Sequence, residues 1–315
     1  MKMKRLMIVC NPRASQFVRV DSEVLERSRS LKGWVVGKFE VLPTNVDDNA
    51  ARLAKVLDDG DLVVSAGGDG TATITLNGVM LSKAKDLKLG VLGYGNFNDM
   101  SRALGMRDLL EIVKVAEGGG EGRLADAWGM ECLVNGEHWR WALCYFTVGL
   151  FAESCAVFEK KDNRRELRTG KRGLVYSVWL LKKWYFKNRK RKFLENFVLT
   201  RAGQEKRFEG MTDYMAVNGK SMARVMRGGK WFLDEESFLG ETRNLRGLGG
   251  LLRLMIGSIL RRIPGAETCG DKLTFDKPTG VMIQAEGEYK RLEGVETIEI
   301  RKAERPAKVV LGRGI

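Results

Sequence analysis

Seven residues, Ser65-Ala66-Gly67-Gly68-Asp69-Gly70-Thr71, constrain this chain more than any other stretch. They follow a short apolar run, Asp61-Leu62-Val63-Val64, and precede a helix-compatible run from Ala72 to Met80. Strand, glycine turn and helix in that order present backbone N–H groups and a helix N-terminus to an anion. The three glycines are expected to let the backbone approach a phosphate closely and to take positive φ. Asp69 is the odd member, because a carboxylate beside bound phosphate repels it. Its presence points to a metal, a proton to be taken or a hydroxyl to be held. Taken alone, the run also fits a tight turn with a solvated aspartate, so the remaining residues must decide.

The 315 residues suffice for two domains and a sizeable core. At 44% hydrophobic and 30% charged they read as globular. No stretch approaches the roughly 20 apolar residues of a membrane helix, and Leu6–Cys10 is too short for a signal-peptide core. The five cysteines, Cys10, Cys132, Cys144, Cys155 and Cys269, lack metal-ligand spacing and fit a reducing, cytoplasmic setting. His138, the sole histidine, lies in a turn-like Asn135-Gly136-Glu137-His138, which excludes a histidine triad or a histidine-rich metal site. The net charge of +14 is concentrated, since residues 160–192 hold 14 Lys/Arg against 2 Asp/Glu. That segment is expected to meet an anionic surface.

In chain order, Lys4–Val9 reads as a buried strand ending at Asn11-Pro12, and Asp21–Leu31 as a helix. Trp34–Val41 alternates as a strand ending at Pro43-Thr44, and Asp47–Leu57 is an amphipathic helix. Leu87–Leu92 is a further strand, leading into Gly93-Tyr94-Gly95-Asn96-Phe97-Asn98-Asp99 and a short helix, Met100–Leu104, capped by Gly105. Strands alternating with helices predict an open, mostly parallel α/β domain over 1–122. After Glu117–Gly122 the pattern changes. Ala125–Val134 and Glu137–Phe146 read as a hairpin about Asn135-Gly136. Further strands are expected at Phe193–Arg201, Tyr214–Val217, Lys272–Phe275, Gly280–Ala285 and Thr297–Arg301. This predicts a mostly antiparallel β domain over 123–300 with helical insertions, and a 301–315 tail packing back on the first domain.

Several motifs occur in the order of one family: Asn11-Pro12, Thr44, Gly67-Gly68-Asp69-Gly70-Thr71, Gly95-Asn96-Phe97-Asn98-Asp99, Gly149-Leu150-Phe151-Ala152-Glu153, Gly173-Leu174-Val175-Tyr176 and Glu286-Gly287-Glu288. Together they resemble the diacylglycerol kinase catalytic-domain family in its soluble bacterial form, with sphingosine kinases as cousins. The resemblance spans nearly the whole chain. NAD kinases share a similar glycine loop; the second loop and the acidic motif separate the lipid-kinase branch. The resemblance implies two domains with ATP in the cleft between them, and a lipid hydroxyl as acceptor. It implies that Gly67, Gly68, Gly70 and Thr71 hold the phosphates, and that Asn11, Thr44, Gly95, Asn96 and Asn98 touch the nucleotide. It offers Asp69 and Glu288 as catalytic carboxylates, Asp69 ranking first because its motif is unaltered. Magnesium would fall to the other carboxylate, with Glu286 and Glu288 the candidate ligands.

The chain departs from the family at Ile74, where Glu is usual, at Phe97, where Gly is usual, and in Glu286-Gly287-Glu288, where the family has Asp-Gly-Glu. The acidic loop expected near 228–242 has no clear counterpart. These departures leave open an NAD kinase-like small-molecule kinase, or a catalytically impaired member that binds nucleotide or membrane. Residues 160–192 read either as a core-facing helix with a solvated basic end or as a contact with anionic lipid at the inner membrane face. Lys171 and Arg172 would alternatively reach the ATP phosphates. Leu245–Ile263 reads as a lid over an acyl pocket or an ordinary buried helix, and Glu153 as a surface carboxylate or an acceptor contact. Nucleic acid is not an expected partner, and a homodimer is left open.

Overall fold

The sequence folds as a series of apolar strands separated by polar turns, and a computed structural model describes residues 4–14, 16–95, 98–158, 163, 176, 179–180, 183–184, 186–188, 192–219, 221–222, 226–227, 233, 235–245, 265–313 and 315. β1 (Lys4–Cys10) leads to a helical stretch, α1 (Phe17–Val20), a π-helical turn (Asp21–Leu25) and α2 (Glu26–Ser28). β2 (Trp34–Glu40), α3 (Val46–Ala54), β3 (Leu62–Gly67), α4 (Asp69–Leu81), β4 (Lys88–Gly93), α5 (Asp99–Leu104), α6 (Leu109–Ala116) and β5 (Arg123–Ala127) follow. Then come β6 (Met130–Val134), β7 (Glu137–Ala142), β8 (Tyr145–Gly149), α7 (Leu150–Phe158), β9 (Phe197–Arg201), β10 (Gln204–Phe208) and β11 (Asp213–Val217). The short β12 (Ser221–Met222) and β13 (Met226–Arg227) precede β14 (Phe238–Arg243), β15 (Ala266–Thr268), β16 (Gly270–Ala285), β17 (Glu288–Lys302) and β18 (Ala307–Leu311).

The first sheet has the order β2-β1-β3-β4-β18-β5. β1 to β4 run parallel, and β18 joins β4 in parallel. Parallel strands covered on both faces need continuous apolar runs, as in Leu62-Val63-Val64, where each residue is 0% exposed. The second sheet has the order β15-β14-β11-β8-β16-β17-β6-β7, with β9 and β10 branching from β16, and every pairing is antiparallel. A mostly parallel α/β sheet followed by an antiparallel one is the expected fold class.

One expected hairpin is divided. Arg123–Ala127 leaves for the first sheet, antiparallel to β18, and only Met130–Val134 pairs with β7. The turn is Asn135 (φ 52°) and Gly136 (φ 80°), whose paired left-handed residues match a two-residue hairpin. Lys272–Phe275 and Gly280–Ala285 are parts of one long strand, β16, with register shifts between Thr274 and Val281.

α4 is the shared core element. Thr71 through Met80 are all buried, so the helix is covered all round rather than along one stripe. Ala72, Leu76 and Met80, four residues apart, pack in a cluster with Leu89 and Val91 of the first sheet and Tyr145 and Met215 of the second. Ile74 and Val79 face Met7, Val9 and Leu53 on the other side. The isoleucine at 74 is therefore a core residue of the first lobe. Asn77 ties the lobes: its Oδ1 accepts from Trp141 N at 2.9 Å and its Nδ2 donates to Trp141 O at 3.0 Å.

Candidate active site

The carboxyl ends of the parallel strands share one edge of the first sheet, because Cys10 registers with Glu40 and Ala66, and Gly67 with Gly93. Ligands bind at this edge in open α/β sheets. Asn11 follows β1 there, and its Oδ1 accepts from Arg13 N at 3.0 Å. Thr44 lies past β2 and accepts from Asn49 Nδ2 at 2.9 Å. Gly68 caps α4, so Asp69 is the first residue of the helix and not a loop residue.

The glycines of the loop do not take positive φ as expected; they are absent from the left-handed residues of the chain. Their reason is crowding. A Cβ on Gly70 would collide with Glu288 Oε1, which reaches across from the second lobe.

Asp69 and the second loop are bonded together. Asn98, in the left-handed conformation (φ 51°), folds the loop by accepting from Gly95 N at 2.7 Å and donating to Gly95 O at 2.8 Å. Asn98 N then donates to Asp69 Oδ2 at 2.9 Å, and Asp99 N to Asp69 Oδ1 at 2.8 Å. The Asp69 carboxylate thus meets the N–H groups that open α5, where a negative charge is favoured. Burial pushes its pKa up to about 7, with the charge of Asp99 adding and the two N–H donors opposing. Asn96 and Phe97 lie outside the described residues, as do Lys171, Arg172, Gly228, Gly229 and residues 246–263.

The second lobe contributes the β16–β17 turn. Glu286 (φ 52°) and Gly287 (φ 90°) form its two-residue tip, since Ala285 registers with Glu288. A Cβ on Gly287 would stand 3.8 Å from Asp69 Cβ, which places the tip over the start of α4. Glu286 is 1% exposed; its Oε1 accepts from Cys144 N, while Oε2 is buried with no hydrogen-bond partner among the described residues. Burial pushes the Glu286 carboxyl up to about 8, opposed by the Cys144 N–H and aided by Asp99 and Asp69.

Asp99 was not singled out by the sequence, although it closes the second motif. It is 1% exposed, pairs with Arg102 and accepts from the Tyr145 phenol at 3.2 Å. The available signal was its place after Asn98 at the start of a helix, but capping and chemistry use the same residue types there. Glu153 is buried, not a surface carboxylate, and Arg291 Nη1 lies 3.7 Å from it. A cavity of about 290 Å³ lies apart from all these groups, between α3, α4, β7 and β17, lined by Asp47, Asn77, His138, Trp139 and Lys290 among others.

The arrangement joins a phosphate-sized helix N-terminus to four carboxylates contributed by two lobes. Residues 5–126, which include the glycine loop and Asp99, match the diacylglycerol kinase catalytic domain. Over that stretch the chain is similar to the diacylglycerol kinase catalytic domain. Two solved structures from Bacillus anthracis strain Sterne share the fold of this chain. One, of a protein assigned to the diacylglycerol kinases, has 16% identity, a TM-score of 0.67 and coverage of 98% of this chain and 97% of that one. The other, a diacylglycerol kinase, has 14% identity, a TM-score of 0.62 and coverage of 99% and 98%. No curated protein matches the sequence.

Proposed function

We propose that the chain transfers the γ-phosphoryl group of ATP to a lipid hydroxyl, diacylglycerol-like or sphingoid, with Mg2+. The observation that carries this reading is the meeting of the Gly68–Thr71 helix start with Asp69, Asp99, Glu286 and Glu288 at one junction of the two lobes. The N–H groups at the start of α4 would bind the phosphates, with Gly67, Gly68, Gly70 and Thr71 lining them. Asn11, Thr44, Gly95, Asn96 and Asn98 would border the nucleotide.

Asp69 is the favoured base. A group with a pKa of about 7 divides between its two protonation states near neutral pH, which suits proton abstraction from a hydroxyl. Glu288 is the alternative. Glu286, whose carboxyl burial pushes up to about 8, holds the hairpin tip to Cys144 N.

The residues fit magnesium. Carboxylates are its preferred ligands, and Glu286 Oε2 is a buried oxygen with no hydrogen-bond partner among the described residues. Among the described residues no three His, Cys, Asp or Glu side chains converge as a ready metal site, so ATP oxygens would complete the set beside Glu286 and Glu288. Bound there, the ion would neutralise charge on the triphosphate.

A lipid acceptor and an anionic inner-membrane surface are supported by residues 160–192. Trp179 is 50% and Phe186 44% exposed, and Lys183 Nζ stands 5.0 Å from the Trp179 ring centre. Exposed aromatics beside cations suit a headgroup region. The test is incubation with γ-labelled ATP and either extracted lipids or NAD. Label in the organic phase is the expected result; label confined to the dinucleotide would replace this reading with that of an NAD kinase-like enzyme.

A further inference from the structure

Tyr145 opens β8 in the second lobe and is 2% exposed. Its phenol crosses to the first lobe and donates to Asp99 Oδ2 at 3.2 Å. Its carbonyl accepts from Glu286 N at 3.3 Å, and the preceding Cys144 N donates to Glu286 Oε1. A Cβ on Gly287 would stand 4.0 Å from the phenol oxygen, so the ring tip lies between the hairpin turn and α5. Tyr145 and the residue just before it therefore touch both acidic elements of the site.

The consequence follows the bonds. Asp99 begins α5, and the N–H groups of Asn98 and Asp99 hold the two Asp69 oxygens. Whatever fixes Asp99 fixes the direction of the Asp69 carboxylate. Burial and the nearby acids raise the Tyr145 pKa far above its usual value, so the phenol remains a donor. Its ring belongs to the shared core with Leu76 and Met215; packing accounts for the ring but not for the hydroxyl directed at Asp99.

We propose that Tyr145 is a positioning residue of the transfer site, fixing Asp99 and through it Asp69 beneath the Glu286–Gly287 tip. This inference rests on the kinase reading above. Tyr145 touches no reacting atom; it sets where the carboxylates stand beneath the hairpin tip.

The test is a double-mutant cycle with Tyr145→Phe and Asp99→Ala, measuring kcat, KM for ATP, calorimetric Mg-ATP affinity and melting temperature. Tyr145→Phe keeps the ring and should fold. It is expected to lower kcat about 10-fold, the scale on which losing an orienting hydrogen bond acts, while ATP affinity and KM stay within about 3-fold. The double variant should be no slower than Asp99→Ala alone, because both changes remove the phenol–carboxylate hydrogen bond. A wild-type kcat in Tyr145→Phe, a loss confined to ATP affinity, or effects that multiply in the double variant would each overturn the proposal. Wild-type protein that transfers label to neither lipid nor dinucleotide would instead overturn the kinase reading, and this one with it.

Discussion

Asp69 carries two demands on one carboxylate. As acceptor for the Asn98 and Asp99 N–H groups it is favoured in its charged form, while burial beside Asp99 favours the neutral one. Asp69→Asn keeps an oxygen for one N–H but cannot take a proton. Turnover should fall at least about 100-fold, with melting and circular dichroism near wild type; retained turnover would remove Asp69 from the chemistry. Glu286 supplies a stability test. Its folded pKa of about 8 lies above the unfolded value of 4.5. Between those values the unfolded chain has released the proton and the folded one retains it. Stability should therefore fall as pH rises from about 5 to about 8, by at most about 1.4 kcal/mol per pH unit from this group. Glu286→Gln should flatten that slope in melting curves taken across the interval.

α4 and the β16–β17 hairpin are the elements that decide the geometry. Asn77 is 4% exposed and bonds both the N–H and the C=O of Trp141. Asn77→Leu would leave those backbone groups without their partner, with an expected cost of about 2–4 kcal/mol in urea unfolding. Gly70→Ala should push Glu288 aside and depress turnover more than stability, because a carboxylate arm can rotate where a backbone cannot. The α4 run was legible from the sequence because the glycine turn, the strand before it and the apolar residues after it all agree. Its N-terminal limit was not: Asp69 lies inside the helix because Gly68 supplies the cap. α6, with Asp108 capping Leu110 N and Glu111 N, passed unnoticed although its capping residue was in plain sight. Glu286-Gly287 was recognised as a motif, but only the register of β16 with β17 reveals it as a hairpin tip that turns the Glu286 side chain inward. Asp99 and Tyr145 meet through a contact 46 residues apart in sequence, which no local pattern encodes.

At the scale of the molecule, the two lobes are joined by polar contacts as well as by the core. Arg140, 4% exposed, donates to Asp47 at 2.6 Å, and Lys290 Nζ stands 4.0 Å from the same carboxylate. β18 returns to the first sheet between β4 and β5. Deleting 307–315 should expose the edge of β4 and yield aggregated protein, which gel filtration would detect. The charge of residues 160–192 gives a separate expectation. The chain should float with anionic vesicles and release in about 0.5 M salt, since exposed charge attraction is screened within a few ångströms there. Neutral vesicles should retain little. The most direct test of the whole account is a crystal structure with Mg2+ and a non-hydrolysable ATP analogue. It should show the triphosphate on the N–H groups of Gly68–Thr71, with the γ-phosphate facing Asp69 and Glu288 across the lobe junction. A nucleotide bound elsewhere, with the glycine loop free of phosphate, would contradict it.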